Sequence, residues 1–432
     1  MEDLRIISDK TRDALLNGGA KMAQYTVSQT ETLEFNVSSG EFSLLRTLYD
    51  NSLSIVAYVD NRMGHASGNK FDDASIAAKV ADCLASAKSG TEDSAYAIAP
   101  KQENACFHDG AYEPDTDRLF ARTREFMDDI ARIYPKVLVA EMMVSHVKRH
   151  SLYRNTNGTE YETKKGYYEI GVQFAGHDED MTTSFCFEEI TVGDLDTPFL
   201  ELGNLKKAFA DAEAQLTTIP LTGKFEGTLI LTPGSLSSFL YSIAELFVSD
   251  TAVLEKTSPW LDKLHEKVAD PRISISIDPF HPRIVCGERY TDDGFASESF
   301  DLIKDGTLEA FLISLYLANK SGFPRAKTTD LSLVMAGGDT SYEDMIKNTD
   351  RGIILGRFSG GNPSVNGDFS GVAKNSFLVE NGKVASCVNE VMVSGNLADL
   401  LNNLITLSKE TVANGSCVLP YAAFDHVTIS GK

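Results

Sequence analysis

His146 and His150 are four residues apart, the spacing at which a helix would set two imidazoles on one face about 6 Å apart, close enough to share a metal ion. Their setting, VLVAEMMVSHVKRH, reads as a strand, along which four residues span roughly 13 Å. That is too far for one ion, so exposed strand histidines are expected. His265-Glu266 opens like the pattern in which a helix presents two histidines to zinc and a glutamate acts as general base. The chain continues Lys267, Val268, Ala269, Asp270, so the second histidine is missing. Even with Asp270 weighed as a substitute ligand, a surface helix feature is expected.

Five glycines fall between positions 356 and 371, around RFSGGNPSVNGDFSG. The stretch matches neither GxxxxGK[ST] nor a GxGxxG following a strand, so a phosphate cradle is unsupported and a long loop lining a cleft is expected. Within it, Asp368 and Ser370 could contact a ligand or cap local turns, and the residues leave both readings open. No GxSxG elbow is present. The six cysteines, at 83, 106, 186, 286, 387 and 417, form no CxxC and lie at least 23 residues apart. They are read as small buried hydrophobes in a reducing cytoplasm, not as a zinc knuckle or disulfide framework.

The elements that must carry these residues follow from periodicity. Helical patterns run from Leu4 to Leu16, Ile76 to Ala87, about Glu113 to Tyr134, Leu202 to Leu216, and from Pro233-Gly234-Ser235 to about Val248. Pro114, followed by Asp115 and Asp117, suits a helix start. Strands are expected at Thr32–Val37, Ser52–Val59, Val137–Val147, Leu152–Arg154, Tyr167–Phe174, Thr182–Thr191 and Thr228–Leu231. Asn157-Gly158, Asp305-Gly306 and Asn381-Gly382 mark turns, the last two between the strands of hairpins. Residues 89–112 lose periodicity and read as a linker, and Thr217 to Gly223 is a second boundary. Three segments result: 1–95, 113–217 and 223–432. Strands and helices come in clusters without strict βαβ alternation, so an α+β fold with mainly antiparallel sheets is expected.

Composition narrows the class. At 432 residues the chain exceeds the roughly 150 typical of one domain, and 42% hydrophobic with 24% charged residues is a globular balance. Forty Lys and Arg against sixty-two Asp and Glu give a net charge of −22, which argues against binding a phosphate backbone. The longest apolar run, Ala310 to Ala318, falls far short of the roughly 18 residues needed to cross a bilayer, so no membrane partner is expected. The amino terminus, MEDLRIISDKTRD, lacks a signal-peptide core, and a cytoplasmic location is expected.

Residues 359–404 change the outlook. Asn362-Pro363, Gly367-Asp368-Phe369-Ser370, Glu380-Asn381-Gly382, Glu390 and Gly395-Asn396-Leu397 occur in the order of the signature block of the TldD/PmbA family, the so-called modulators of DNA gyrase. Upstream, Asp278-Pro279, Asp293-Gly294 and LIKDGTLEAFLISLYLANKSG, with LEFNVSSGEF and DNRMGHASGNKF near the start, extend the resemblance over almost the whole chain. Lys374 and Ser386-Cys387 depart from it locally. The resemblance implies the large interwoven architecture of that family. It also implies two branches, one with an HExxxH zinc helix and a carboxy-terminal cysteine ligand, and a PmbA/TldE-like branch without the motif. Here the corresponding helix, SLSSFLYSIAELFVSD, has Glu245 but no histidine, and Cys417 stands where the cysteine is expected. The chain therefore resembles the second branch, with no cofactor of its own and no catalytic residues. Zinc is then expected in a TldD-like partner, and flexible peptides as substrates of the pair. Gly360, Gly361, Asp368, Ser370, Glu390 and Asn396 are the candidate substrate contacts, with structural support of the hairpin an equal explanation. The alternative is a homodimeric, non-catalytic peptide-binding or gyrase-linked protein.

Overall fold

Two sheets organise the chain in a computed structural model that describes residues 3–179 and 181–431. The first sheet contains β1 (Met22–Ser38), β2 (Glu41–Val59), β3 (Arg62–Gly68), β4 (Ala105–Gly110), β5 (Val137–Asn155), β6 (Glu160–Asp178), β7 (Met181–Thr182) and β8 (Cys186–Val192). Its order is β3-β2-β1-β5-β6, antiparallel throughout. The outer edge of β6 is divided: β4 runs parallel along Tyr161–Gly166, and β8 antiparallel along Tyr168–Phe174. Strands from segments 1–95 and 113–217 thus share one sheet.

Helices α1 (Leu4–Asn17) and α2 (Asp73–Ser89) pack on its first strands, burying Leu4, Ile7, Leu15, Ile76, Val80 and Leu84 against Val27, Leu53 and Ile55. Helices α3 (Thr116–Ile133) and α4 (Leu205–Ala214) cover the other end, with Leu119, Phe126 and Phe209 on Val144, Ile170, Val172 and Phe174. Helix α3 starts just beyond Pro114, with Asp115 as its cap, the side chain accepting from the Arg118 amide at 3.1 Å, and Asp117 in the first turn.

The second sheet contains β9 (Thr218–Pro220), β10 (Lys224–Leu231), β11 (Ile275–Ile277), β12 (Phe300–Lys304), β13 (Thr307–Leu308), β14 (Leu333–Met335), β15 (Arg351–Leu355) and β16 (Arg357–Gly360). It continues through β17 (Asp368–Lys374), β18 (Ser376–Glu380), β19 (Lys383–Asn389), β20 (Val391–Asn396), β21 (Leu404–Ala413) and β22 (Val418–Ser430). The spine runs β13-β12-β11-β14-β22-β10-β15-β18-β19-β9, and β16, β17 and β20 form a ribbon that joins at β22. Helix α5 (Pro233–Ile243), extended by a π-turn over Ala244–Val248, packs Leu236, Phe239, Leu240 and Phe247 into this half's core with Leu229, Leu231, Leu355 and Phe424. The fold is α+β with mainly antiparallel pairing, as the clustered elements imply.

Several local expectations are corrected. Lys148, Arg149 and His150 do not interrupt β5, because neighbours on both sides satisfy its backbone through the polar stretch. His146 is buried, with Nε2 2.7 Å from the Ala111 carbonyl and its ring 4.8 Å from that of Tyr168, so it is not an exposed strand histidine. His265 lies in a turn with φ 65°, not on a helix. The 89–112 stretch includes β4. The glycine-rich region is not one long loop: β16 and β17 form a hairpin in which a Cβ on Gly360 would fall 2.6 Å from the Gly371 Cα. Cys106 is exposed, unlike the buried Cys83, Cys387 and Cys417. Among the described residues, no helix is long and apolar enough to cross a membrane.

The two halves are tied by polar contacts. Asp109 on β4 pairs with Arg289, and Lys165 on β6 donates to the carbonyls of Cys286 and Gly287 at 2.9 Å each. Tyr290 stacks on Tyr161 with ring centroids 4.8 Å apart.

Candidate functional site

Helix α5 begins where β10 ends. Thr232 caps it, Oγ1 accepting from the Ser235 amide at 3.3 Å, and Pro233 occupies the first turn, where a missing N–H costs nothing. Ser235 Oγ lies 2.8 Å from the Leu355 carbonyl and 2.9 Å from that of Gly356 and shares its one proton between them, fastening the helix start to the β15–β16 junction. With the core face spent on Leu236, Phe239 and Leu240, Gly234, Ser237 and Ser238 are left to line a cleft of about 410 Å³. The opposite walls come from β8 (Cys186, Glu188), α4 (Ala208, Asp211) and β16 (Arg357, Phe358).

The cleft is electrically uneven. The α5 N-terminus and the exposed Arg357 make one side positive. At the other, burial and then the neighbouring Asp211 push the Glu188 carboxyl up to about 7. Burial also raises the Asp211 carboxyl, although Lys207 Nζ donates to both its oxygens at 2.8 and 2.7 Å. The Cys186 thiol is pushed up to about 12, chiefly by burial, and stays protonated at neutral pH.

The sequence candidates sit mainly outside this cleft. Asp368 and Asn396 are cross-strand partners on β17 and β20. Asn396 Nδ2 donates to Asp368 Oδ1 and to the Asn366 carbonyl, each at 2.9 Å, while its Oδ1 caps helix α6 (Leu397–Asn402) by accepting from the Ala398 amide. Ser370 faces Ser394 across the same pair, and Gly360 and Gly361 close the β16 end of the hairpin. Glu390 occupies the tight turn between β19 and β20 at φ 53° and borders a separate hollow of about 700 Å³ with Lys374 and Asn389. The residues missed were Glu188, Asp211 and Arg357. A signal for Glu188 existed: along CFEEITV it shares phase with Ile190, which lies in the core.

Zinc is the metal that a metallopeptidase lineage implies, and it takes thiolate, imidazole and carboxylate ligands. The thiol facing α5 is Cys417, with Sγ 3.9 Å from Ser237 Oγ and 3.3 Å from Asn414 Oδ1. Burial raises its pKa, and Tyr241 on the next turn of α5 adds another hydroxyl. One thiol among hydroxyls and an amide falls short of the three or four nitrogen, sulfur and carboxylate ligands that hold zinc. Among the described residues, no three His, Cys, Asp or Glu side chains are grouped to hold a metal ion.

Comparison with known proteins agrees with the fold and the resemblance. Residues 222–431 match the PmbA/TldA metallopeptidase C-terminal domain. Metalloprotease PmbA of Escherichia coli O157:H7 is 24% identical, over 94% of this chain and 92% of its own length. A metalloprotease of Archaeoglobus fulgidus is 26% identical over 65% and 68%. The crystal structure of TldE from Thermococcus kodakarensis shares the fold with TM-score 0.85 at 21% identity, covering 98% of this chain and 99% of that one. A candidate modulator of DNA gyrase from Bacteroides thetaiotaomicron superposes with TM-score 0.87 at 22% identity over the full length of both. The ordered signature residues, the match over residues 222–431 and the full-length relatives lead to one conclusion: the chain carries a PmbA/TldD-family C-terminal domain and is similar to PmbA proteins along its length.

Proposed function

We propose that this chain is the PmbA/TldE-like, zinc-free subunit of a cytosolic metalloprotease that processes flexible polypeptides, and that a TldD-like partner carries the zinc. The observation that carries this reading is the face α5 turns to the cleft. It offers Ser237 and Ser238 beside Cys417, a donor set that leaves hydrolysis to another chain. The part left to this subunit is to seat the substrate. Among the described residues β16 pairs only with β17, so its outer edge has backbone donors and acceptors to offer, and Arg357 and Phe358 bring that edge to the cleft. Adding an extended peptide as a further strand needs no particular side-chain sequence, which fits a sequence-tolerant protease.

The test is co-expression with a family member that carries the HExxxH motif. The two chains should co-purify and together degrade unfolded casein in a chelator-sensitive way, while this chain alone should not. A chain that stays a homodimer, binds peptides unaffected by chelator and leaves the zinc protein's turnover unchanged would favour the non-catalytic, gyrase-linked alternative.

A further inference from the structure

Glu188 has no role in the fold that its surroundings explain. The register of β8 turns it inward with Ile190, into the cleft wall, where the residue is partly buried. Among the described residues that carboxyl makes no hydrogen bond or ion pair, and the charged group nearest in effect is Asp211, of the same sign. The neighbouring cations are committed or screened. Lys207 is held by Asp211 and lies 5.8 and 5.5 Å from the rings of Tyr342 and Phe377. Arg357, on β16, is exposed to solvent. The other titratable groups here, Cys186 on β8 and Tyr421 on β22, are raised by burial and uncharged at neutral pH.

An unpartnered carboxylate beside a second one in a partly buried cleft is costly unless a cation completes it. The cavity shows what fits. Ile190, Ala208, Phe358 and Val412 give apolar walls for an aliphatic stem, and Glu188 with Asp211 gives an anionic end. Lysine and arginine side chains have that form, an alkyl stem ending in a cation.

We propose that Glu188, with Asp211 behind it, is a specificity pocket for the ammonium or guanidinium end of a basic side chain on the polypeptide seated along β16. This rests on the strand-addition reading, because β16 is the edge that would present the side chain to the pocket. The pocket's chemistry holds for a free alkylammonium as well, which allows the two ideas to be tested apart.

Calorimetry with the full-length chain should use five probes: n-pentylammonium, 1-pentanol, two acetyl-capped pentapeptides that differ only in a central lysine or norleucine, and the norleucine peptide uncapped. At pH 8 the lysine peptide should bind at least about tenfold more tightly than the norleucine peptide, the worth of one charge-assisted hydrogen bond. Glu188→Gln should abolish that preference and leave the norleucine peptide's affinity unchanged. In the unmutated protein, lysine-peptide affinity should rise about tenfold from pH 6 to pH 8 as the carboxyl ionises, so the test does not depend on the variant folding. Equal affinity for the charged and neutral member of each pair would overturn the pocket, even if peptides bind. Glu188-dependent binding of pentylammonium without binding of either peptide would uphold the cation pocket and overturn the strand-addition reading. An uncapped norleucine peptide binding as tightly as the capped lysine peptide would overturn the side-chain assignment in favour of a chain amino terminus.

Discussion

Replacing Glu188 by glutamine should make the folded protein more stable, and mainly above neutral pH. The carboxyl has a folded-state pKa of about 7 against an ordinary value of 4.5. A raised acid pKa means that the folded state holds a proton the unfolded chain has released, so native stability falls as pH rises from 4.5 to 7. Above that window the full cost is present, at 1.36 kcal/mol per pKa unit on the order of 3 kcal/mol at pH 8, and under about 1 kcal/mol at pH 5. The amide cannot ionise and escapes the cost. Urea unfolding of both proteins, followed by near-ultraviolet circular dichroism at pH 5, 6, 7 and 8, measures the difference directly. Burial also raises Glu169 and Glu288, but those groups are common to both proteins and cancel. The variant's advantage should therefore widen by about 2 to 3 kcal/mol between pH 5 and pH 8. A difference that stays constant with pH, or a variant less stable at pH 8, would show that the carboxyl is solvated and the argument wrong.

Other outcomes follow from the same geometry. Ser235→Ala removes a hydroxyl whose one proton is shared between carbonyls at 2.8 and 2.9 Å and should cost about 1 kcal/mol in urea unfolding; a loss below about 0.3 kcal/mol would mean that α5 is not fastened there. Asp109→Asn leaves the Arg289 guanidinium, half covered by its surroundings, without its charged partner. It should cost about 2 kcal/mol and speed proteolysis near residues 283–297, whereas unchanged cleavage would remove this contact from the inter-sheet tie. A peptide with alternate backbone nitrogens methylated should bind at least about tenfold more weakly than its parent if β16 receives it as a strand; equal binding would rule out backbone pairing.

Turn chemistry made much of the second sheet legible in advance. Asn381-Gly382 and Asp305-Gly306 both have positive φ at each position, the conformation that two-residue hairpin turns require. The turns at Ser39-Gly40 and Asp60-Asn61 use the same conformation, but those dipeptides punctuate the sequence less strongly, and the long ribbon of β1, β2 and β3 was underestimated. Strand β5 looked divided because Lys148, Arg149 and His150 break its apolar alternation, yet ladder bonds on both sides do not depend on side-chain polarity. The site was less legible for a related reason. Alternation placed Glu188 on the inward face, but only the packing of α4 against β8 shows that its neighbour there is Asp211. The signature residues Asp368 and Asn396 drew attention as ligand contacts, and their side chains are bonded to each other beside a helix cap.

The central claim is that this subunit seats a polypeptide and has no zinc of its own. The most direct measurement is elemental analysis of the purified full-length chain after exposure to equimolar zinc and dialysis. Less than about 0.1 zinc per chain is predicted, because α5 offers only hydroxyls beside the single thiol of Cys417, too few ligands to hold the ion. Zinc retained near one per chain, and lost on Cys417→Ala, would contradict the account.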